Sequence, residues 1–269
     1  MRAHCRPISL LVAICFLSGS GYAQHTVTET FTSKLVGDSF RLHITAPRAT
    51  DSLWGTVYYL DAGIRSGAAL RSLLPSLGTA WTRHVLFVGI AHTGDFHVLR
   101  RRDFIPPGFA ERDAPKHSPD FGQAHRFHAF LAKELLPYIG KRYRVRSRRT
   151  LIGHSFGGLF ALYALFRPER LFDQYIAMGP SIWANHWDLL RYEAQAATAK
   201  EGFRNYLYFS AGSLEAFNLV LQGTRRLQSL LRQRSYPGLQ WRYEEHAGKG
   251  HNDAVLPALR TYFRQRPWP

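Results

Sequence analysis

The stretch from Arg149 to Leu165 constrains this 269-residue chain most. Thr150, Leu151 and Ile152 read as a short buried strand, and from Phe156 onward apolar residues recur at helical spacing. Between them lies Gly153-His154-Ser155-Phe156-Gly157, a G-x-S-x-G match. A strand that turns at once into a helix leaves the central residue on a strained corner with its hydroxyl exposed. Glycines two positions before and after remove the Cβ atoms that would clash there. The helix N-terminus then directs its dipole and free N–H groups at the reacting centre. Because so short a pattern also arises by chance, an idle serine in a Gly-rich turn is the competing reading. The strand before, the helix after and Gly158 all favour a nucleophile.

The rest of the chain alternates strands with helices. Thr26 to Lys34 and Ser39 to Thr45 alternate polar and apolar residues, and Gly37-Asp38 between them signals a hairpin. Trp54 to Leu60 is a denser apolar run, suited to a strand buried on both faces. A helix is predicted from Gly67 to Leu77 and a strand from His84 to Ala91. A long polar loop is expected from His92 to about Gln123, and a helix from His125 to Ile139. Beyond the central stretch come a strand around Gln174 to Met178 and an aromatic, irregular segment from Ser181 to Trp187. A strand from Tyr206 to Ser210, a helix from Leu214 to Gln233, a strand from Leu239 to Glu245 and a short helix from Pro257 to Arg264 complete the pattern. This alternation implies an α/β fold with a mostly parallel sheet, opened by an antiparallel hairpin. With no repeat, heptads or low-complexity linker, residues 24–269 read as a single domain.

The first 23 residues read as an export signal. Arg2 and Arg6 are followed by an apolar run from Ile8 to Leu17, too short to span a bilayer, and Gly21-Tyr22-Ala23 offers small residues for cleavage. An exported protein, periplasmic or secreted and not held in the membrane after cleavage, is therefore expected. A retained membrane anchor is the alternative. Both cysteines, Cys5 and Cys15, fall inside this segment, so the mature chain would have no disulfide and no thiol nucleophile. A hydrophobic content of 45% allows a full core. The formal charge of +16 suits an anionic substrate or surface. Nucleic acid is not expected, because the basic residues are dispersed and no nucleic-acid motif accompanies them.

A serine hydroxyl needs a base to take its proton. In a strand–elbow–helix hydrolase the order along the chain is serine, acid, histidine. The histidine should follow the last strand, where His251 stands in Gly248-Lys249-Gly250-His251. His246, at the strand end, is its nearest rival. Glu215 is the carboxylate in the region after the strand at Tyr206 to Ser210 and would hold the histidine tautomer. An ordinary charge in the first turn of a helix is its plainer reading, which would leave a Ser155–His251 dyad. The oxyanion hole needs two N–H donors, for which Phe156 and Gly63, or a neighbour of Gly63, are the candidates. Neither a metal site nor a cofactor is expected: no H-E-x-x-H and no dinucleotide-binding glycine pattern occurs.

These residues resemble the esterase D-like family of α/β-hydrolases, which includes siderophore (enterobactin-type) esterases, feruloyl esterases, S-formylglutathione hydrolases and mycolyltransferases. The resemblance runs from about Thr26 to Phe263. It rests on Tyr58-Tyr59-Leu60-Asp61, Val88-Gly89-Ile90 and Phe127-x-x-Phe130-Leu131-x-x-Glu134-Leu135-x-Pro137. Gly153-His154-Ser155-Phe156-Gly157-Gly158, Gly179-Pro180-Ser181 with Trp183, and Gly250-His251 extend it. Arg102-Asp103-Phe104-Ile105-Pro106 is similar to the family's Arg-x-x-Asp-x-x-Pro element with altered spacing. Ala62 departs from the glycine more usual after that Asp, which blurs the second oxyanion donor. The resemblance implies an α/β-hydrolase fold with helices on both faces and hydrolysis of a small-molecule carboxylic ester through an acyl-enzyme. The segment from Ser181 to Trp187 is most similar to the siderophore-esterase side, implying an anionic or aromatic ester. Arg65 and Arg102 would then attract substrate anions, and Trp183 and Trp187 would stack on rings. Acyl transfer to an alcohol, or a non-catalytic periplasmic binding protein of the same fold, are the alternatives.

Overall fold

The computed structural model describes residues 24–47, 53–108, 121–145, 148–198, 202–217, 219–234 and 236–265. The expected signal segment and the middle of the expected loop from His92 to Gln123 lie outside the described residues.

Eight strands form one sheet in the order β1-β2-β4-β3-β5-β6-β7-β8. Strands β1 (Gln24–Ser33) and β2 (Asp38–Pro47) form the expected antiparallel hairpin, and β2 pairs antiparallel with β4 (Val85–His92). From there β3 (Gly55–Leu60), β5 (Arg148–His154), β6 (Gln174–Met178), β7 (Tyr206–Gly212) and β8 (Gln240–His246) run parallel. A parallel sheet is covered on both faces, and β3 is accordingly buried at every residue.

The pleat of the central strands divides two cores. Tyr58, Leu60, Leu86, Val88, Ile90, Leu151, Tyr175 and Leu207 face one side, and Val57, Tyr59, Val85, Phe87, Ile152, Ile176 and Tyr208 the other. The first side is covered by residues of α4 (Ala124–Phe130), α5 (Leu136–Tyr143), α6 (Phe156–Phe166), α7 (Leu189–Thr198) and α8 (Val220–Gln233), with Phe104 at the end of α3 (Phe96–Phe104). The second is covered by α1 (Arg65–Leu73), Trp81 of α2 (Thr79–His84) and α9 (Val255–Gln265). Every residue of α6 after Phe156 is buried. Phe160 of α6 meets Phe127 edge-on at 5.0 Å and Phe104 at 5.8 Å. Each such buried aromatic contributes roughly 1.5–3 kcal/mol of burial free energy, which holds α6 rigidly against the sheet.

Several predicted boundaries change. The helix expected from Gly67 to Leu77 is α1 followed by a 3₁₀ turn, Leu74–Ser76, and α2 was not anticipated. The helix expected from His125 to Ile139 runs from Ala124 to Tyr143 with a π-helical turn, Leu131–Leu135, inside it. The expected loop after His92 contains α3, whose N-cap Asp95 accepts from the His97 and Val98 amides at 2.9 and 3.3 Å. Its inward residues include Arg100, Arg102 and Asp103, so it lacks an apolar stripe. Helix α7 buries Glu193 between Leu189 and Ala196, and Arg234 at 2.5 Å with Tyr236 satisfies that carboxylate. The helix expected from Leu214 begins only at Val220.

Buried His128 of α4 makes stability depend on pH. Burial first, and the Arg167 charge second, lower its pKa from 6.5 to about 4, against the opposing pull of Glu169. Between those values the unfolded chain binds the proton and the folded chain does not. This contribution is therefore intact above pH 6.5 and is lost as pH falls from 6.5 toward 4. The loss expected from this residue is about 2–3 kcal/mol. His128→Phe should lose correspondingly less than the wild type in thermal or denaturant unfolding across that range, and parallel losses in both proteins would contradict the assignment.

Candidate active site

The carboxyl ends of β3 through β8 point to one edge of the sheet, and the segments leaving them converge there. Ser155 stands between β5 and α6 at φ 60° and ψ −120°, a backbone state seldom taken by a non-glycine residue. Its N–H donates to the Met178 carbonyl at 3.0 Å, and its own carbonyl accepts from Leu159 and Ser181 amides at 2.9 and 3.1 Å. A Cβ on Gly153 would lie 2.0 Å from the Gly157 carbonyl oxygen, so only glycine fits the near side of this corner. The Ser155 hydroxyl lies 3.3 Å from the hydroxyl of buried Ser181.

His251 follows β8. Its Nδ1–H donates to Glu215 at 2.5 Å, and the other Glu215 oxygen accepts the Gly212 N–H at 2.6 Å. Glu215 is 2% exposed. It lies in a turn after β7, its amide bonded to the Gly212 carbonyl, and not in a helix. The plainer reading of Glu215 as a first-turn helix charge is thereby removed. Gly179, at the end of β6 with φ 49°, explains how the pair approaches the elbow. A Cβ there would lie 3.2 Å from His251 Cε1 and Nδ1 and 3.3 Å from Glu215 Oε2. His154 Nε2–H donates to the His251 carbonyl at 3.0 Å, and the two rings are 4.4 Å apart. Burial, then the neighbouring His251 charge, lowers the pKa of His154 to about 3, so it stays neutral.

His246 is buried on β8, 3.5 Å from the Tyr208 hydroxyl, and burial lowers its pKa. Glu215 is bonded to His251, not to this rival. Phe156 is the first residue of α6, so its amide has no intrahelical acceptor. After β3, the Ala62 N–H is taken by the Ile90 carbonyl and the Ile64 N–H by the Asp61 carbonyl, each at 3.1 Å. Gly63 is exposed between them, and among the described residues its amide has no hydrogen-bond acceptor.

The proposed substrate contacts divide. Arg65 is 75% exposed and 3.6 Å from Asp253, two residues beyond His251. Trp183 packs 6.3 Å from the Phe156 ring, and its indole nitrogen is buried without a hydrogen-bond partner among the described residues. Trp187 is partly buried near Gly223 of α8, and the Arg226 guanidinium lies 5.7 Å from its ring centroid. Arg102 corrects the expectation. It is buried, with two donors on Asp103 at 2.7 and 2.9 Å and a third on Asp38 at 3.2 Å, so its guanidinium belongs to an internal network. Sequence reasoning missed Asp61 and Arg100, which form a buried two-pronged ion pair at 2.7 and 2.8 Å beneath the elbow. Tyr58-Tyr59-Leu60-Asp61 was a visible signal for Asp61; Arg100 lay in a segment read as loop.

A strained serine corner, an imidazole held by a buried carboxylate and two amides without an acceptor among the described residues are the parts that acyl transfer requires. The fold they sit on is the α/β-hydrolase fold. Residues 55–255 match the family described as "Putative esterase", and the chain belongs to that family. It is 31% identical over 184 residues to the ferri-bacillibactin esterase BesA of Bacillus subtilis (strain 168), covering 65% of this chain. The chain spans 63% of the length of that relative. The BES protein from Bacillus cereus superimposes with a TM-score of 0.77 at 28% identity, over 91% of this chain and 96% of that one. The siderophore hydrolase EstB from Aspergillus nidulans, at 22% identity and a TM-score of 0.73, covers 91% of this chain and 96% of its own, and shares the fold.

The pairing of His251 with the buried Glu215 carboxylate has a spectroscopic consequence. The Nδ1 proton of His251 should resonate far downfield in proton NMR spectra. It should disappear from that region in Glu215→Gln, which removes the anionic acceptor, and in Gly179→Ala, which crowds the ring. Survival of the signal in Glu215→Gln would break the pairing.

Proposed function

We propose that the protein is an exported serine esterase that cleaves small-molecule carboxylic esters through an acyl-enzyme. The observation that carries this reading is Ser155 on its positive-φ corner, its amide bonded to Met178, with the His251–Glu215 pair packed against the next residue, Gly179. Ser155 Oγ attacks the ester carbonyl while His251 Nε2 takes its proton. Glu215 keeps the Nδ1 proton in place and stabilises the imidazolium that forms. The Phe156 and Gly63 amides receive the negative charge on the carbonyl oxygen. His251 then returns the proton to the departing alkoxide, leaving Ser155 acylated. A water molecule, deprotonated by the same nitrogen, attacks the acyl carbon, and the carboxylic acid leaves as Ser155 recovers its proton. In the resting structure Ser155 hydrogen-bonds Ser181; hydroxyl rotation toward His251 accompanies substrate binding, as is common in unliganded sites.

Siderophore or other aryl esters are the proposed substrates. Support comes from the names of the relatives, from Trp183 beside Phe156, from exposed Arg65 and from the formal charge, +16 for the whole chain and +14 without Arg2 and Arg6 of the proposed signal. Export is proposed from the charged, apolar and small-residue order of the first 23 positions.

Ser155→Ala should abolish hydrolysis and fluorophosphonate labelling while the protein stays folded. Turnover above roughly a tenth of wild type would remove Ser155 from the mechanism. His251→Ala should be equally damaging, because nucleophile and base act as a unit. Glu215→Gln should lower kcat by about a hundredfold or more with KM nearly unchanged. A kcat within about threefold of wild type would leave a Ser155–His251 dyad. A panel of short acyl, feruloyl and catecholate trilactone esters tests the substrate class. Separately, intact-mass analysis of exported protein should find an N-terminus near Gln24, whereas a retained leader would contradict the export reading.

A further inference from the structure

Arg100 projects from α3 into the space between the carboxyl ends of β3 and β5, its side chain 10% exposed. Nε and Nη2 donate to the two Asp61 carboxylate oxygens at 2.7 and 2.8 Å, and Nη2 also donates to the His154 carbonyl at 3.3 Å. Its guanidinium lies 5.5 Å from the Phe156 ring centroid and 5.9 Å from that of Phe104. One side chain therefore touches both strand ends that lead to the Phe156 and Gly63 amides. Asp61 opens the turn that presents Gly63, and its φ of 59° is a left-handed state unusual for a side-chain-bearing residue. His154 precedes Ser155, so its carbonyl belongs to the peptide that enters the elbow. The Asp61 carboxylate also closes on α6: a Cβ on Gly157 would be 3.2 Å from Oδ2.

We propose that Arg100 is a positioning residue which, through Asp61 and the His154 carbonyl, sets the spacing between the Gly63 and Phe156 amides. It thereby sets the strength of the oxyanion site. This rests on the serine-esterase reading above. Preorganised donors act on the developing oxyanion only if they are held near 2.7–3.1 Å from its position. Neither amide belongs to the same strand as the other, so the backbone ladder alone leaves their separation to the β3–β5 ends. A rigid planar guanidinium with several donors can tie those ends; a lysine ammonium cannot reproduce the fork. Burial raises the Asp61 pKa and the Arg100 charge opposes it, so Arg100 also compensates the burial of this carboxylate.

An ordinary structural ion pair would lower stability without changing how the site discriminates between carbonyl oxygen and sulfur. A thionoester replaces the oxyanion by a larger, weaker acceptor, so a well-formed site prefers the oxoester. The test compares 4-nitrophenyl acetate with its thiono analogue for wild type, Arg100→Lys, Arg100→Gln and Asp61→Asn, each normalised to folded protein. The expected result is a kcat loss on the order of a hundredfold on the oxoester with KM within about threefold. The oxo-over-thiono preference should fall by about tenfold or more, with Arg100→Gln worse than Arg100→Lys. Should the Arg100 variants fail to fold, Asp61→Asn, which keeps the side-chain size, reads the same preference. An unchanged preference in folded variants overturns the positioning role while inactivity of Ser155→Ala preserves the esterase reading. Turnover by Ser155→Ala would overturn both.

Discussion

The turn at Ser155 depends on backbone meeting backbone. Gly153 lies against the Gly157 carbonyl closely enough to exclude any side chain, and the Ser155 amide and carbonyl are tied to Met178, Leu159 and Ser181. A corner this tight is a high-energy conformation that persists only where its surroundings overdetermine it. Those surroundings are the parallel pairing of β5 with β3 and β6 and the complete burial of α6 beyond Phe156. The aromatic packing of Phe104, Phe127 and Phe160 thus serves the site indirectly, because it keeps α6 from relaxing the corner it starts from.

Charge is arranged around that corner in buried pairs. Asp61 is bonded to Arg100, Asp103 to Arg102 and His92, and Glu215 to the His251 imidazole. Removing one partner of a buried pair leaves an unpaired charge in a poor solvent, which costs far more than the intact pair contributes. The consequence is precision: each pair fixes one strand end or loop relative to another. His154 behaves differently, since burial beside His251 keeps it neutral and leaves it a hydrogen-bond donor to the His251 backbone.

Sequence patterns were most legible where burial is uniform or periodic. The hairpin with Gly37, the apolar runs of β3 and β4 and the strand–elbow–helix are local signals, and the structure contains each within a few residues of its expected place. Helices α3 and α7 were not legible because Arg100, Arg102, Asp103 and Glu193 occupy inward positions where an apolar stripe would announce a helix. Their burial is tolerated only because partners arrive from distant segments, among them Asp61 for Arg100 and Arg234 for Glu193. Arg102 was read as a substrate contact for the same reason: an exposed and a buried arginine look alike until Asp38 and Asp103 are seen around it.

By itself the sequence determined the fold class and the position of the serine corner, because glycine spacing, apolar period and chain order are local properties; the family was legible as a resemblance of its motifs. It also named Glu215 and His251 as candidates by their order after the strands. Only the tertiary structure decided that these two meet at 2.5 Å, that the Ala62 amide is spent on Ile90 while the neighbouring Gly63 amide is not, and that Arg102 is internal. The physical reason is separation along the chain. His251 and Glu215 are 36 residues apart and Arg100 and Asp61 are 39 apart, so no local pattern encodes their contact. The parallel sheet aligns those strand ends, and the close packing permitted at Gly179 and Gly212 lets the side chains complete the approach.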